Sequence, residues 1–574
     1  MRVIGSTRVK IVLGFLSSIH GLHALAATEL DAAGRQADVI QQRQQQQIQQ
    51  DRDEAQREIR PGGADLRSLV PTTPPPGDTP GKCHEIKSIE IADAHRLAGG
   101  VRQQINLQYA GKCLGVDEIS QILALITKNY IEQGYVTTRA YLPAQNLQSG
   151  VLKIVVLEGR IGAFQIDDGG AGSVSVNNAF TFLQGGVLNL RDLEQGIDQI
   201  NRLQSNNAKL EIAPGNEAGE SVVLIRNQRS APVHLFATYD NQGAKSTGEH
   251  QGAATVTLDG VLGFNESLMA SHRESLPLDE RAHSSNSDAF SVSIPFGYNL
   301  YSIDLNRSKY DNVLTLQSGA NAVAQGDNSI NSFSWNRVVY RDQSSRLSFG
   351  AGLTNKDSRN YFADQYLDVS SRKLSVLDLR SGYSTSVRDI FLQMDLDYAR
   401  GLTEFGAMHD TPALPADQPH AQFQKVTARL YARVPFSIAG QAFSYDSELN
   451  MQQAWNPLYG SEQILIGGIY SVRGFFNNSL SGDKGYYWRN EVALPKAFPV
   501  GAQTFSGKLY AGVDIGRVWN LADLPGGRLS GATVGLQARW RSLILDLSHS
   551  STISLPSGLA REAAQTWFRI SAAL

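Results

Sequence analysis

After its first 25 residues the chain has no apolar run near the ~20 residues that a membrane-spanning helix needs. Charge of one sign is lacking too: 52 Lys and Arg against 55 Asp and Glu leave a net −3, which argues against a nucleic-acid partner, since such domains are strongly basic. Cysteine is nearly absent, with only Cys83 and Cys113, and two thiols without a matching His cluster make a poor zinc site. There is no P-loop, no H-E-x-x-H and no G-x-S-x-G. The expectation is therefore no cofactor, no metal and no enzymatic centre. If the protein moves cargo, it does so without hydrolysing a nucleotide. A mean hydropathy of −0.24 and 41% hydrophobic residues look like a soluble protein, yet do not exclude a membrane. Barrel strands alternate apolar-out and polar-in, so their averages look soluble.

What is present begins with an export signal. Arg2, Arg8 and Lys10 precede an apolar run from Ile11 to Leu25, and Ala24-Leu25-Ala26 offers a small-x-small cleavage site. Residues 1–26 read as a signal peptide rather than an anchor helix, because the run is short and carries Gly14, Ser17, Ser18 and His20. In an oxidising compartment Cys83 and Cys113 can pair. The bridge would close a loop of about 31 residues, worth roughly 3–4 kcal/mol.

Four blocks follow. Residues 27–59 are Gln-rich (QQRQQQQIQQDRDEAQRE), with only a thin apolar stripe of Val39, Ile40, Ile48, Ala55 and Ile59. Gln, Glu and Arg favour helix. A helix polar on all sides has no place in a dry core, so the segment is either a helix in a wet cavity or a low-complexity tail. About 28 helical residues would span roughly 40 Å, enough to thread a barrel. Residues 60–82 (with LVPTTPPPGDTPGK) form an extended proline-rich spacer.

Residues 83–230 repeat a pattern. Ile86, Ile89 and Ile91 are echoed by Ile161, Phe164 and Ile166. Helical spacing then appears in Ile119, Ile122, Leu123, Ile126 and Tyr130, behind a candidate Asp117 cap, and again in Leu190, Leu193, Ile197, Ile200 and Leu203. Strand-like alternation closes each unit. Two α+β modules, 83–159 and 160–230, are predicted, with edge strands able to accept a guest strand. A single larger α+β domain is the alternative.

From 231 to 574 helical periodicity fades and dyad alternation takes over, as in Leu347, Phe349, Ala351 and Leu353; Leu392, Met394, Leu396 and Tyr398; Ala428, Leu430, Ala432 and Val434; and Leu543, Leu545 and Leu547. Turn clusters such as DGVLGFNES and LADLPGGR separate them. This fits a transmembrane antiparallel β-barrel with a wet lumen, although a soluble sandwich or propeller also alternates. The last segment sets Phe568, Ile570, Ala572 and Leu574 on one face, as expected of a strand that closes on the first.

Three local signatures then carry a resemblance. They are Val472-Arg473-Gly474-Phe475; Gly512-Val513-Asp514-Ile515-Gly516; and Thr138-Arg-Ala-Tyr141-Leu142-Pro143-Ala-Gln145 with Leu157-Glu158-Gly159. With the order of parts, they make the whole mature chain resemble the TpsB family of two-partner secretion transporters. The resemblance implies a plug helix, two POTRA domains and a barrel of sixteen strands. It also implies that Arg473 sits in a loop folded back into the lumen and meets Asp514 on the barrel wall. A bidentate Arg–carboxylate pair would tether such a loop. By spacing alone Arg473 is a solvated residue whose pairing contributes under ~1 kcal/mol. Gly474, Gly512 and Gly516 would permit close approach, and Phe475 would pack the loop tip. The chain departs from the family pattern in ending on Leu574 rather than Phe and in the Gln-richness of its helix.

The implied function is export of a large unfolded exoprotein (an adhesin, a haemolysin or a contact-dependent toxin) through a monomeric barrel in outer-membrane lipid, with the POTRA domains in the periplasm. The alternatives are a barrel-insertion chaperone of the same superfamily and a passive porin.

Overall fold

A computed structural model describes residues 33–53, 83–170, 172–316, 319–500 and 503–573. The expected signal segment, the proline-rich spacer and both ends of the Gln-rich segment lie outside these residues, as does Leu574.

In the first module the strand Val151–Leu157 is central, parallel to Ser88–Ala92 and antiparallel to the edge strand Arg139–Tyr141. The helix Val116–Glu132 lays Ile119, Ile122, Ile126 and Tyr130 on this sheet, against Ile89, Ile91 and Ile154. Its N-cap is Gly115, not Asp117 as the sequence suggested. The Gly115 amide donates to the Glu118 carboxylate at 2.7 Å, while Asp117 sits in the first turn, where a negative charge favours the helix dipole. A further helix, Gly99–Tyr109, escaped the periodicity test because only Ile105 and Tyr109 of it are buried, and Leu107 is exposed. The Cys83–Cys113 disulfide joins the start of this module to the strand Lys112–Leu114.

The second module repeats the plan with strands Arg160–Asp167, Ala208–Pro214 and Glu220–Asn227 and the helix Leu190–Asn201, capped by Asn189. Ile131 and Val136 of the first module are buried in the second module's core, so the two are joined by packing as well as by the chain.

Sixteen long antiparallel strands among the described residues, from Val233–Asp240 to Gln565–Ala573, form a closed barrel. The two-residue strand Gln365–Tyr366 only extends one hairpin. Closure is explicit: Arg569 to Ala573 pair with Asp240 to Phe236. Dyad alternation sorts the two faces. Phe349, Leu392, Met394, Leu396, Leu543 and Leu545 are exposed on the outside. Arg429 and Arg433 point to the lumen and pair with Glu448 and Asp446 of the next strand. Such an exposed apolar wall is a liability in water and the normal face of a barrel in lipid. Among the described residues no helix is long and apolar enough to cross a membrane.

The disulfide closes a 30-residue separation. Replacing both cysteines by serine should lower the stability of the first module by about 3 kcal/mol. Hydrogen exchange of the strands Ser88–Ala92 and Val151–Leu157, compared with barrel strands as an internal reference, measures the loss.

Candidate functional site

Among the described residues the lumen holds two inserted elements, a loop and a helix. The loop, residues 455–483, joins the strands Gln441–Ala454 and Lys484–Val500 and folds inward, stiffened by a small hairpin of Ile464–Ile466 with Leu480–Gly482. At its tip Arg473 is buried. Its Nε donates to Asp514 Oδ2 at 2.7 Å and its Nη2 to Oδ1 at 2.9 Å. The Arg473 backbone amide donates to the same carboxylate at 3.1 Å, and Nη1 reaches Glu491 at 3.0 Å. Asp514 is fully buried, and a bidentate, charge-assisted pair held this way is far from the solvated alternative.

The glycines have stated tasks. Gly474 adopts φ +100°, and a β-carbon there would meet the Ser551 carbonyl oxygen at 2.5 Å. Its own carbonyl accepts from Thr552 at 2.7 Å. A β-carbon on Gly512 would sit 2.5 Å from the Arg473 guanidinium, and one on Gly516 2.9 Å from Val472. Gly531 does the same for the Arg473 carbonyl, beside the register shift between Ser530 and Gly531. Phe475 and Val472, both fully buried, pack with Ile466, Val518 and Leu529 into an apolar cluster that seats the tip.

Several residues of this tether carried no sequence signal. Glu562, 86 positions from Phe476, accepts from the backbone amides of Phe476, Asn477 and Asn478 at 2.9, 3.0 and 2.5 Å. Asp483 accepts from Leu458, Gln463 and Leu521. Glu462, at the loop's other end, is held by Lys356 at 2.5 Å and Lys425 at 2.9 Å. Each is a lone carboxylate in a loop or turn, and only the folded loop and barrel together bring its partners near.

Residues 33–53 form a helix inside the barrel. Of the apolar stripe read from sequence, Ile40 packs with Ala37 and Tyr310, while Ile48 borders a lumenal cavity of about 910 Å³; Ala55 and Ile59 lie outside the described residues. The other contacts are polar. Gln42 donates to the loop carbonyls of Gly460 and Gln463 at 2.5 and 2.7 Å, Asp38 pairs with Arg372 at 2.7 Å, and Arg52 pairs with Asp304 at 3.0 Å. Asp51 enters a buried quartet. Arg273 and Arg569 donate to it at 2.7 and 2.9 Å, and both also hold Asp240, at 2.9 and 3.1 Å. Because Arg569 and Asp240 face each other across the closing seam, the helix is fastened where the first and last strands meet.

In the first module the signature residues separate. Glu158 accepts from the Arg96 amide at 2.8 Å and the Tyr130 hydroxyl at 2.6 Å. Burial, and then the Glu158 carboxylate, pushes the Tyr130 hydroxyl well above the usual phenol range. A side chain at Gly159 would collide with Thr137 at the junction between modules. Gln145 donates to the Lys153 carbonyl and accepts from its amide at 2.7 and 2.8 Å, continuing the sheet edge by side chain just past Pro143. Tyr141 and Leu142 stand exposed at that edge.

Two outcomes follow from this geometry. Arg473→Ala leaves Asp514 without its cation and Glu491 with Lys508 alone, and removing one partner of a buried pair costs about 3–5 kcal/mol. The loop should become cleavable by added protease while the barrel keeps its heat-modifiable migration in gels. Asp51→Ala leaves Arg273 and Arg569 with a single carboxylate, so the helix should vacate the lumen more often. Planar-bilayer recordings should then show more frequent large-conductance openings than in the parent.

Comparison with known proteins agrees with this architecture. The family description "Haemolysin secretion/activation protein ShlB/FhaC/HecB" matches residues 219–538; "POTRA domain, ShlB-type" matches 84–159 and "POTRA domain" matches 160–214. The outer membrane transporter CdiB of Dickeya dadantii is 30% identical over 565 residues, 97% of each chain. The hemolysin transporter protein ShlB of Serratia marcescens is 31% identical over 444 residues, 76% of this chain and 77% of that one. The solved structure of CdiB from Escherichia coli superposes with a TM-score of 0.84 at 28% identity, covering 94% of this chain and 99% of the other. The barrel therefore lies in the outer membrane with its two modules in the periplasm, and the chain belongs to the ShlB/FhaC/HecB family of two-partner secretion transporters.

Proposed function

We propose that this chain takes an unfolded exoprotein at its periplasmic modules and passes it through the barrel to the cell surface. The observation that carries this reading is the nature of the inner plug. The helix over 33–53 is held by Gln, Asp and Arg contacts, with a single small apolar cluster at Ala37, Ile40 and Tyr310. Polar contacts exchange readily for water in a wet lumen, so a helix of this kind can leave without exposing a hydrophobic face. The Arg473–Asp514 tether holds the loop in register on the wall while the helix goes.

Guest capture is assigned to the exposed edge at Arg139–Tyr141, where Tyr141 and Leu142 offer apolar contact and the strand backbone offers hydrogen bonds. Direction comes from folding outside, because a folded chain cannot slip back. The guest is a large secreted exoprotein, of the haemolysin kind for which the Serratia relative is named. The barrel acts as a monomer in outer-membrane lipid, and no reaction is catalysed. A chaperone that inserts other barrels has no evident use for a helix threaded through its own lumen.

Co-expression with a candidate exoprotein tests this. The parent should release it into the medium, and deletion of residues 83–230 should abolish release. Arg473→Ala and Asp514→Ala should each lower release severalfold with normal barrel insertion. Unchanged release after deletion of the modules overturns the transporter reading; parental release from both point variants overturns the role of the tether.

A further inference from the structure

One large apolar side chain of the periplasmic modules is placed unlike the rest. Phe182 is 92% exposed and lies at φ +59°, a region that bulky L residues rarely enter. The surrounding segment is ordered by its own contacts. Two residues earlier, Phe180 is buried and stacks on Phe164 at 4.9 Å. The Thr181 hydroxyl donates to the Asn177 carbonyl at 2.8 Å, and the Leu183 amide donates to Phe180 at 3.2 Å. The turn thus sends one phenyl ring into the module and the next outward.

Where that ring points is fixed by the docking of the second module on the barrel. The hairpin at 296–299 is gripped from several sides. The Gly297 amide donates to the Asn178 carbonyl at 2.7 Å, Asn178 donates to the Pro295 carbonyl at 3.2 Å, and Gln199 donates to the Gly297 carbonyl at 3.1 Å. The Tyr298 hydroxyl donates to Asp192 at 2.5 Å. Held there, the Phe182 ring meets Phe296 edge-on, with centroids 6.2 Å apart.

Phe296 is itself part of the lipid-facing surface. It ends the outward row of Phe290, Val292 and Ile294 at the periplasmic end of its strand. Tyr301 on the next strand faces outward as well and pairs across to Trp335. Aromatic residues at the end of an apolar belt are the girdle that sits at the boundary between acyl chains and head groups. Phe182 extends this girdle by one ring, on a different domain.

We propose that Phe182 is a membrane-interface anchor: its ring lies in the periplasmic leaflet of the outer membrane, at the head-group boundary of the phospholipid beside Phe296, and ties the second module to the membrane surface. The occupant is lipid rather than exported chain, because the ring continues a surface that already faces lipid and stands outside the barrel, away from the lumen. An otherwise isolated exposed phenyl ring and its strained backbone both acquire a purpose in this arrangement.

The test uses the full chain in bilayer discs of phosphatidylethanolamine and phosphatidylglycerol, with no exoprotein present. Cys83 and Cys113 are bonded to each other, so Phe182→Cys supplies the one thiol available for a nitroxide label. Collision of the label with dissolved oxygen is compared with collision with a water-soluble nickel chelate. Glu217→Cys, in an exposed turn of the same module, is the aqueous reference. The oxygen-to-nickel ratio at position 182 should exceed that reference severalfold. A ratio equal to the reference overturns the proposal, as does a ratio that rises only when exoprotein is added. Phe182→Trp gives an independent reading. Dibrominated phospholipid should quench its added fluorescence, and full persistence of that emission counts against the anchor. Heat-modifiable migration of both variants verifies barrel assembly.

Discussion

A sheet in lipid has to close, because hydrocarbon offers nothing to the unpaired amides and carbonyls of a free edge. Here the closing pair is Val233–Asp240 with Gln565–Ala573. A closed barrel of sixteen strands then encloses more space than its own inward side chains can fill. The space is wet and lined with charge, so whatever occupies it is held by polar contacts or brings its own apolar seat. The helix over 33–53 follows the first course and the loop 455–483 the second. Its Val472 and Phe475 carry a small core to the wall, and Arg473 adds a buried ion pair to it.

The two elements are not independent. Gln42 of the helix donates to the loop backbone at Gly460 and Gln463, and neighbouring Glu462 is held by Lys356 and Lys425 on the wall. The helix thus leans on a stretch of loop that the wall fixes by itself. At its other end Asp51 completes the quartet with Arg273, Arg569 and Asp240. That set contains two cations and, without Asp51, one anion. A buried excess of positive charge is costly, so the seam is most comfortable while the helix is present. Helix departure and the state of the seam are therefore coupled through charge.

Much of this was legible in the sequence, for physical reasons. Dyad alternation marked the barrel because lipid and water sit on opposite faces of each strand, as Leu392, Met394 and Leu396 illustrate. Helical periodicity marked Val116–Glu132 and Leu190–Asn201 because both lie on a sheet with one apolar side. The helix Gly99–Tyr109 stayed hidden because it buries so little, and the Gly115 cap because a glycine cap rests on the backbone and on Glu118. Arg473 and Asp514 were visible only as members of a motif. Glu491, Glu562 and Glu462 were invisible because their partners are brought near by the tertiary fold rather than by spacing. Asp51 was buried in a low-complexity run whose composition describes the helix but not the carboxylates, Asp38 and Asp51, that anchor it.

The asymmetry between the two occupants bears on how the pore can open. Moving the loop tip means separating a bidentate buried pair and exposing Phe475, while Glu562 releases three backbone amides at once. Moving the helix also breaks one buried bidentate pair, Asp51 with Arg273, but otherwise exchanges glutamine and carboxylate contacts for water and leaves one small apolar contact behind at Tyr310. The second change is cheaper per residue wherever water can enter, and the cavity of about 910 Å³ beside the helix leaves room for water at its flank. On the proposed function, this asymmetry sets the order of events: the helix withdraws first, and the loop, still tied to Asp514, remains as the fixed wall past which a guest chain travels.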